Sequence, residues 1–217
     1  MFSGGGAREN SYGISKMKRI DCFRAMAEIV GDALVVTGAG GNTVEWSACR
    51  PSDGNFRVRT MGLVSSIALG IALGLAKRKV IALDGDGSLL MNLCSLPTIA
   101  NKNPPNLIHI VLDNGAYESS GEIKTATASG SDLVGMAKAA GIKKALWANT
   151  IEDFKRAVSE AVKGNTLTFI GAKVELSRAE VPPYPIDEVE NKYRFIRYVE
   201  KTENIEILRT SLPASYF

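Results

Sequence analysis

Val80-Ile-Ala-Leu-Asp-Gly-Asp-Gly-Ser88 and Leu107-Ile-His-Ile-Val-Leu-Asp-Asn-Gly-Ala-Tyr117 decide the fold. Each is an apolar run of strand length that stops at a glycine-bearing turn with acidic or amide side chains. Unbroken apolar runs suit strands buried on both faces of a parallel sheet. The polar residues that follow then sit at the carboxyl ends of two strands, where open α/β sheets bind their ligands.

The residue types at those two ends suit a metal ion bridged to a diphosphate. Magnesium takes six hard oxygen ligands in near-octahedral geometry. Diphosphate supplies two, leaving room for a carboxylate, an amide oxygen, a backbone carbonyl and a water. Asp86 is the candidate carboxylate and Asn114 the candidate amide. Gly85 and Gly87 let the backbone approach a phosphate because no Cβ intrudes, and Ser88 with the helical turn after it offers N–H groups to an anion. Asn114 lies 28 residues after Asp86, room for one helix and one return strand. Asp and Asn after a strand are also ordinary turn formers, and a lone Gly-Asp-Gly is a weak signal. The combination of strand, turn, helix and a second strand ending in Asp113-Asn114 is what points to a ligand.

Outward from this pair the pattern alternates. Helical spacing runs from about Ile20 to Ile29, followed by a short strand over Ala33 to Val36 and a glycine turn, Thr37-Gly-Ala-Gly-Gly-Asn-Thr43, that opens a helix from about Thr43 to Cys49. Residues 50–55 have loop composition, Leu63 to Ala76 reads as a buried helix of small residues, and Leu89 to Asn101 as a helix that Pro97 kinks or breaks. The stretch 114–131 is turn-rich. After it come a helix over Leu133 to Ala140, a strand over Ala145 to Trp147 and a helix over Ile151 to Val162. A long alternating strand over Leu167 to Leu176, an extended proline-rich link over 181–186 and a helix over Val189 to Glu200 close the series. Strands alternating with helices give an α/β class with a mostly parallel central sheet.

Composition narrows the function classes. The 217 residues are 45% hydrophobic and 23% charged with a net charge of +3, the balance of a soluble globular protein. No basic run is interleaved with aromatics, so a nucleic-acid partner is not expected. The longest apolar stretch is interrupted by Ser65, Ser66, Gly70 and Gly74, so no membrane span is expected either. Cys22, Cys49 and Cys94 form no CxxC pair, which argues against zinc and a disulfide framework and for reduced thiols in a cytoplasmic protein. The first sixteen residues, with Ser-Gly-Gly-Gly near their start, have no apolar core of a secretory signal. They read as a disordered extension, with Met17 a conceivable start of the folded domain. His109, inside a hydrophobic strand, reads as a satisfied core residue, and Arg57 and Arg59 as loop arginines able to meet an anionic substrate head.

Gly-Asp-Gly-Ser88 followed some thirty residues later by a pair ending in asparagine resembles the cofactor motif of thiamin-diphosphate-dependent enzymes. The wording LDGDGSLLMNLCSLPTIA and VLDNGAYESSG is similar to one branch, the β subunit of sulfopyruvate decarboxylases and the matching half of phosphonopyruvate decarboxylases. The similarity runs from about Met17 to Glu200. It implies a three-layer α/β/α fold with 17–217 as the diphosphate-binding domain, and thiamin diphosphate and Mg as cofactors. It implies that Asp86, Asn114 and the carbonyl of Ala116 hold the metal, and that Gly85, Gly87, Ser88 and Tyr117 surround the diphosphate. Thr60-Met-Gly62 resembles the segment whose apolar side chain props the cofactor into its V shape, and Met61 lies 25 residues before Asp86 as that family places it. Gly41, Asn42 and Thr43 are a weaker match at the first turn. Glu118, Ser119 and Ser120 depart from the Gly and Ser-Thr of the branch.

In that family a glutamate that activates the cofactor comes from a separate pyrimidine-binding domain. The resemblance therefore implies a heteromer: an α-type subunit carrying that domain, and a small 2-oxo acid as substrate. The helix over Leu63 to Ala76 is a candidate for the contact between them. A split acetolactate-synthase-like carboligase, and a non-catalytic partner that binds the cofactor, are the alternatives.

Overall fold

The two apolar runs are neighbouring parallel strands. A computed structural model describes residues 17–208, and the expected disordered extension over 1–16 lies outside the described residues. In chain order the elements begin with α1 (Arg19–Ala27), β1 (Leu34–Thr37), α2 (Gly41–Cys49), β2 (Asn55–Arg57), α3 (Val64–Gly74), β3 (Val80–Gly85), α4 (Asp86–Leu90), α5 (Ser95–Lys102) and β4 (Leu107–Asp113). There follow β5 (Ala116–Tyr117), β6 (Ile123–Lys124), α6 (Leu133–Ala139), β7 (Lys144–Ala148), α7 (Ile151–Lys163), β8 (Thr168–Lys173) and α8 (Glu188–Glu203). Among the described residues six strands form one sheet in the order β2-β1-β3-β4-β8-β7, and every pairing in it is parallel. β5 and β6 make a separate antiparallel pair.

The chain moves outward from β1 to β2, then crosses back to place β3 on the other side of β1. That reversal opens a crevice at the carboxyl ends of β1 and β3, the switch point where ligands bind in doubly wound sheets. Register brings Gly85 opposite Leu112, so Asp86 and Asn114 leave adjacent strands within one residue of the same level.

Both faces of the sheet are covered, as the unbroken apolar runs require. Ile81, Leu83, Ile108, Ile110 and Ile170 pack on one face with Phe23 and Met26 of α1 and Phe154 and Val158 of α7. Val80, Ala82, Leu107, Val111 and Phe169 pack on the other with Ala68 and Ala72 of α3, Ile99 of α5 and Leu133 of α6. The result is the three-layer α/β/α arrangement. Small residues along α3 serve this packing, and its outward side carries Leu73, 48% exposed.

Differences from the sequence reading have local causes. The predicted helix over 89–101 is two helices, and the break falls at residues 91–94 rather than at Pro97. Pro97 sits in the first turn of α5, where its missing N–H would have had no helical partner. β8 is shorter than the alternating run suggested, and β2, which starts at the last residue of the expected loop and was not expected as a strand, pairs along the open edge of β1. The turn-rich stretch contains the β5–β6 hairpin.

Among the described residues no helix is long and apolar enough to cross a membrane. The three cysteines are unpaired, Cys22 buried and Cys94 exposed. Burial pushes the Cys22 thiol up to about 12, so it carries almost no thiolate at neutral pH. Because the thiolate is the reactive form, a thiol reagent should label Cys94 rapidly in the native protein and Cys22 only after denaturation. Rapid native labelling of Cys22, located by peptide mass spectrometry, would contradict this packing.

Candidate active site

The cleft at the switch point has a volume of about 220 Å³. The ends of β1, β3 and β4 meet there, joined by the first turn of α2 and the loop around β5. Gly38, Ala39, Gly41 and Asn42 line one wall, Gly85 to Ser88 the floor, and Asn114, Ala116 and Tyr117 the opposite wall, with Met61 at the rim. Gly40 introduces α2 with φ of 76°, a conformation that favours glycine, and turns the N-terminus of this helix toward the cleft.

Asp86 is only 2% exposed. Its Oδ2 accepts a hydrogen bond from the Thr125 hydroxyl at 2.5 Å. The Thr127 hydroxyl lies 3.1 Å from that same oxygen and 2.8 Å from Asp113 Oδ1, so it stands between the two carboxylates. Asp113 also accepts from Lys173 Nζ at 2.5 Å and from the Gly115 amide at 3.0 Å. Burial first, and the charge of Asp113 second, push the Asp86 carboxyl above its usual range, with the threonine bonds offsetting part of the rise. A divalent cation beside Asp86 would relieve both causes.

Asn114 turns the chain out of β4. Its Oδ1 accepts from the Ala116 amide at 3.0 Å, and Gly115 takes the left-handed conformation at φ 71° that this tight Asx turn needs. The turn presents Ala116 and Tyr117 to the cleft. A Cβ on Gly87 would lie 2.6 Å from the Tyr117 ring, so the glycine lets the ring close over the floor. Ser88 Oγ accepts from the Gly62 amide at 3.0 Å, and Asn92 Nδ2 donates to the Gly62 carbonyl at 2.7 Å. Those bonds fix Met61 at the rim, where it is 37% exposed.

Two expected cofactor residues do not line the cleft. Thr43 is buried, and its hydroxyl is taken up by Thr37 Oγ1 at 2.8 Å and the Gly38 carbonyl at 2.6 Å, closing the β1–α2 turn. Gly62 holds Met61 from behind. Arg59 reaches the cleft but pairs with Glu188 at 2.9 Å, whereas Arg57 lies over the Tyr184 ring away from it. His109 is fully buried against Phe169, yet neither ring nitrogen has a hydrogen-bond partner among the described residues. Its nearest ionic neighbour is Asp84 at 3.5 Å, so it is a core residue but not a satisfied one.

The sequence reading missed Thr125 and Thr127, because two threonines in a turn-rich loop carry no distinctive signal. It also missed Arg19, which lines the cleft although it begins a helix. Its guanidinium lies 2.5 Å from Glu45 and 2.6 Å from Glu118, and all three side chains are under 10% exposed. Burial works to raise the Glu118 carboxyl, but its bonds to Arg19 and Arg178 outweigh that and hold it below the usual carboxylate range.

The donor set suits a metal held jointly with a diphosphate. Among the described residues no group of three or more His, Cys, Asp or Glu side chains is placed to hold a metal alone. One buried carboxylate, one amide oxygen and one backbone carbonyl are hard oxygens appropriate to Mg²⁺, which commonly takes its remaining ligands from phosphate and water. The glycine floor leaves space that a Cβ would fill.

Residues 50–172 match the family described as thiamine pyrophosphate enzyme, C-terminal TPP binding domain. The chain is 36% identical to the sulfopyruvate decarboxylase subunit beta of Methanocaldococcus jannaschii over 192 residues, covering 85% of this chain and 98% of that protein. It is 39% identical to the sulfopyruvate decarboxylase of Methanosarcina acetivorans over 82% of this chain but only 46% of that longer protein. A solved thiamine diphosphate-dependent 4-hydroxybenzoylformate decarboxylase from Rhodococcus jostii RHA1 shares the fold, with a TM-score of 0.65 at 21% identity over 82% of this chain and 36% of the other.

Proposed function

The chain belongs to the thiamine pyrophosphate enzyme family, C-terminal TPP binding domain, and from that premise we propose that it is the diphosphate-anchoring subunit of a heteromeric 2-oxo acid decarboxylase. The observation that carries the reading is Asp86, 2% exposed, with one oxygen fixed by threonines at a cleft it shares with Asn114 and Ala116. Asp86, Asn114 and the Ala116 carbonyl would hold Mg²⁺. Gly85, Gly87, Ser88 and Tyr117, with Gly41 and Asn42 at the N-terminus of α2, would surround the diphosphate. Met61 would support the bend of the cofactor, and residues 17–217 would make up the diphosphate-binding domain. When bound, thiamin diphosphate supplies the electron sink that lets a 2-oxo acid lose CO2.

Two features support a partner. The cleft, at about 220 Å³, is smaller than the roughly 300–1,000 Å³ of pockets that enclose a drug-sized ligand, so it suits one end of the cofactor. Its lining carboxylates are Asp86 and Glu118, and Glu118 is committed to Arg19 and Arg178. The glutamate that activates the cofactor is therefore assigned to an α-type subunit. The M. jannaschii relative is called a subunit beta, and the M. acetivorans relative has more than twice the matched length in one chain. A cytoplasmic setting and a sulfopyruvate- or phosphonopyruvate-like substrate complete the proposal.

The test is reconstitution with a co-expressed α-type chain, followed by assay of CO2 and aldehyde from sulfopyruvate, phosphonopyruvate and pyruvate. The pair should decarboxylate one of the first two faster than pyruvate, depend on thiamin diphosphate, and stop when Mg²⁺ is chelated. The isolated chain should be inactive. Acetolactate-type condensation products in place of aldehyde would establish the carboligase alternative instead, and activity without thiamin diphosphate would end the reading.

A further inference from the structure

Glu118 opens the short 3-10 turn Glu118–Ser120 that follows β5. Its carboxylate is 9% exposed and gathers three donors: Arg19 Nη1 at 2.6 Å, Arg178 Nε at 2.7 Å and Asn114 Nδ2 at 3.3 Å. Arg19 is held in turn by Glu45 Oε1 at 2.5 Å and the Ser177 carbonyl at 3.2 Å, and Glu45 accepts from the Ala179 amide at 3.2 Å. A buried ion cluster of this kind adds little stability over apolar packing of equal volume, because desolvation offsets the attraction. Its placement suggests another use.

The Asn114 amide has a donor end and an acceptor end, and a carboxylate can only accept. Glu118 therefore fixes the NH2 toward itself and Oδ1 away from it. The Ala116 amide donates to Oδ1 at 3.0 Å, which agrees with this orientation, and Glu118 holds the other end of the amide. We infer that Glu118 is a positioning residue for the metal, locking the Asn114 amide with its oxygen toward the ion, and that the buried Arg19 is the strut that holds Glu118 there. The inference rests on the Mg²⁺–diphosphate reading of the site. It gives a physical reason for the buried Arg19–Glu45–Glu118 cluster beside the cleft.

The experiment measures thiamin diphosphate binding by calorimetry as a function of Mg²⁺, using the full chain with any subunit that copurifies. Partners of a metal ligand typically contribute about 10- to 100-fold to affinity. Glu118→Ala should raise the half-saturating Mg²⁺ at least about tenfold on that scale, and Glu118→Met, which fills the space without an acceptor, should do the same if the alanine variant does not fold. Glu118→Gln keeps a carbonyl for the amide and should stay within about threefold, a small effect for a retained hydrogen bond. The decisive arm repeats the substitutions in an Asn114→Asp background. Two equivalent carboxylate oxygens need no orienting, so loss of Glu118 should no longer weaken Mg²⁺ binding there. Equal losses in both backgrounds, or wild-type Mg²⁺ dependence in a folded Ala or Met variant, would overturn the inference while leaving the site reading intact. Absence of Mg²⁺-dependent binding in the wild type would instead overturn the site reading, and this inference with it.

Discussion

Asp86→Ala should abolish Mg²⁺-dependent thiamin diphosphate binding and reduce decarboxylation by the reconstituted enzyme at least about a thousandfold, equivalent to about 4 kcal/mol of lost stabilisation. Asp86 is the one carboxylate in the candidate metal set, and a neutral replacement leaves the cation facing an amide, a carbonyl and phosphate. The same substitution should leave the cofactor-free fold nearly as stable as before. Burial and the neighbouring Asp113 already disfavour the charged form of Asp86, so removing it also removes an electrostatic penalty, against two threonine bonds lost. Asp86→Asn retains an acceptor for those threonines and should match the alanine variant in activity. Calorimetric titration alongside thermal melts separates the two effects. Cofactor binding at wild-type affinity in a folded Asp86→Ala protein would eliminate the assigned role.

The largest effect on stability is expected at Trp46. Its side chain is fully buried, stands edge-on to Phe23 with ring centroids 5.7 Å apart, and donates Nε1–H to Asn55 Oδ1 at 2.9 Å. Truncating a buried Trp to Ala costs about 3–5 kcal/mol, and the stranded Asn55 oxygen adds about 1–3 kcal/mol unless water reaches it. A typical domain is stable by only about 5–15 kcal/mol, so Trp46→Ala should leave much of the chain unfolded at 37 °C. Trp46→Phe strands the same oxygen but preserves most of the packing, so it should lose less. Urea denaturation of the two variants measures both, and a loss below about 2 kcal/mol for the alanine variant would be less than this cavity allows. Trp46 also bears on function, since α2, which it anchors, starts at Gly41 in the cleft wall.

How much of this was legible in the sequence depended on the range of the interaction. β3 and β4 were readable because a strand buried on both faces writes an unbroken apolar run, and their parallel pairing followed from the helical patterns between them. Asp86 and Asn114 were readable because residues just past such strands share one sheet edge. The wording around them also carried the family resemblance. Thr125 and Thr127 were not, since they reach Asp86 across 39 and 41 residues and no local spacing encodes that approach. Arg19 was hidden for the same reason, with Glu118 99 residues away. Thr43 was the weaker match: a threonine after glycines caps a turn as readily as it meets a ligand, and its hydroxyl is bonded to Thr37 and Gly38. β2 went unseen because its pairing with β1, rather than its composition, makes it a strand.

The two edges of the sheet constrain how the protein can associate. At one edge β2 is three residues long, and α8 lies along it, with Phe195 packed on Phe56 at 5.0 Å between ring centroids. At the other, β7 stops after five residues and begins with Lys144, directly after Lys143. Short, covered or lysine-bearing edges discourage strand addition and the aggregation that follows from it. Growth of the sheet into a neighbouring chain is thus disfavoured at both ends. A partner chain of the kind proposed would then meet helix faces or the loops above the carboxyl ends of the strands, and at those loops it would also meet the rim of the cleft.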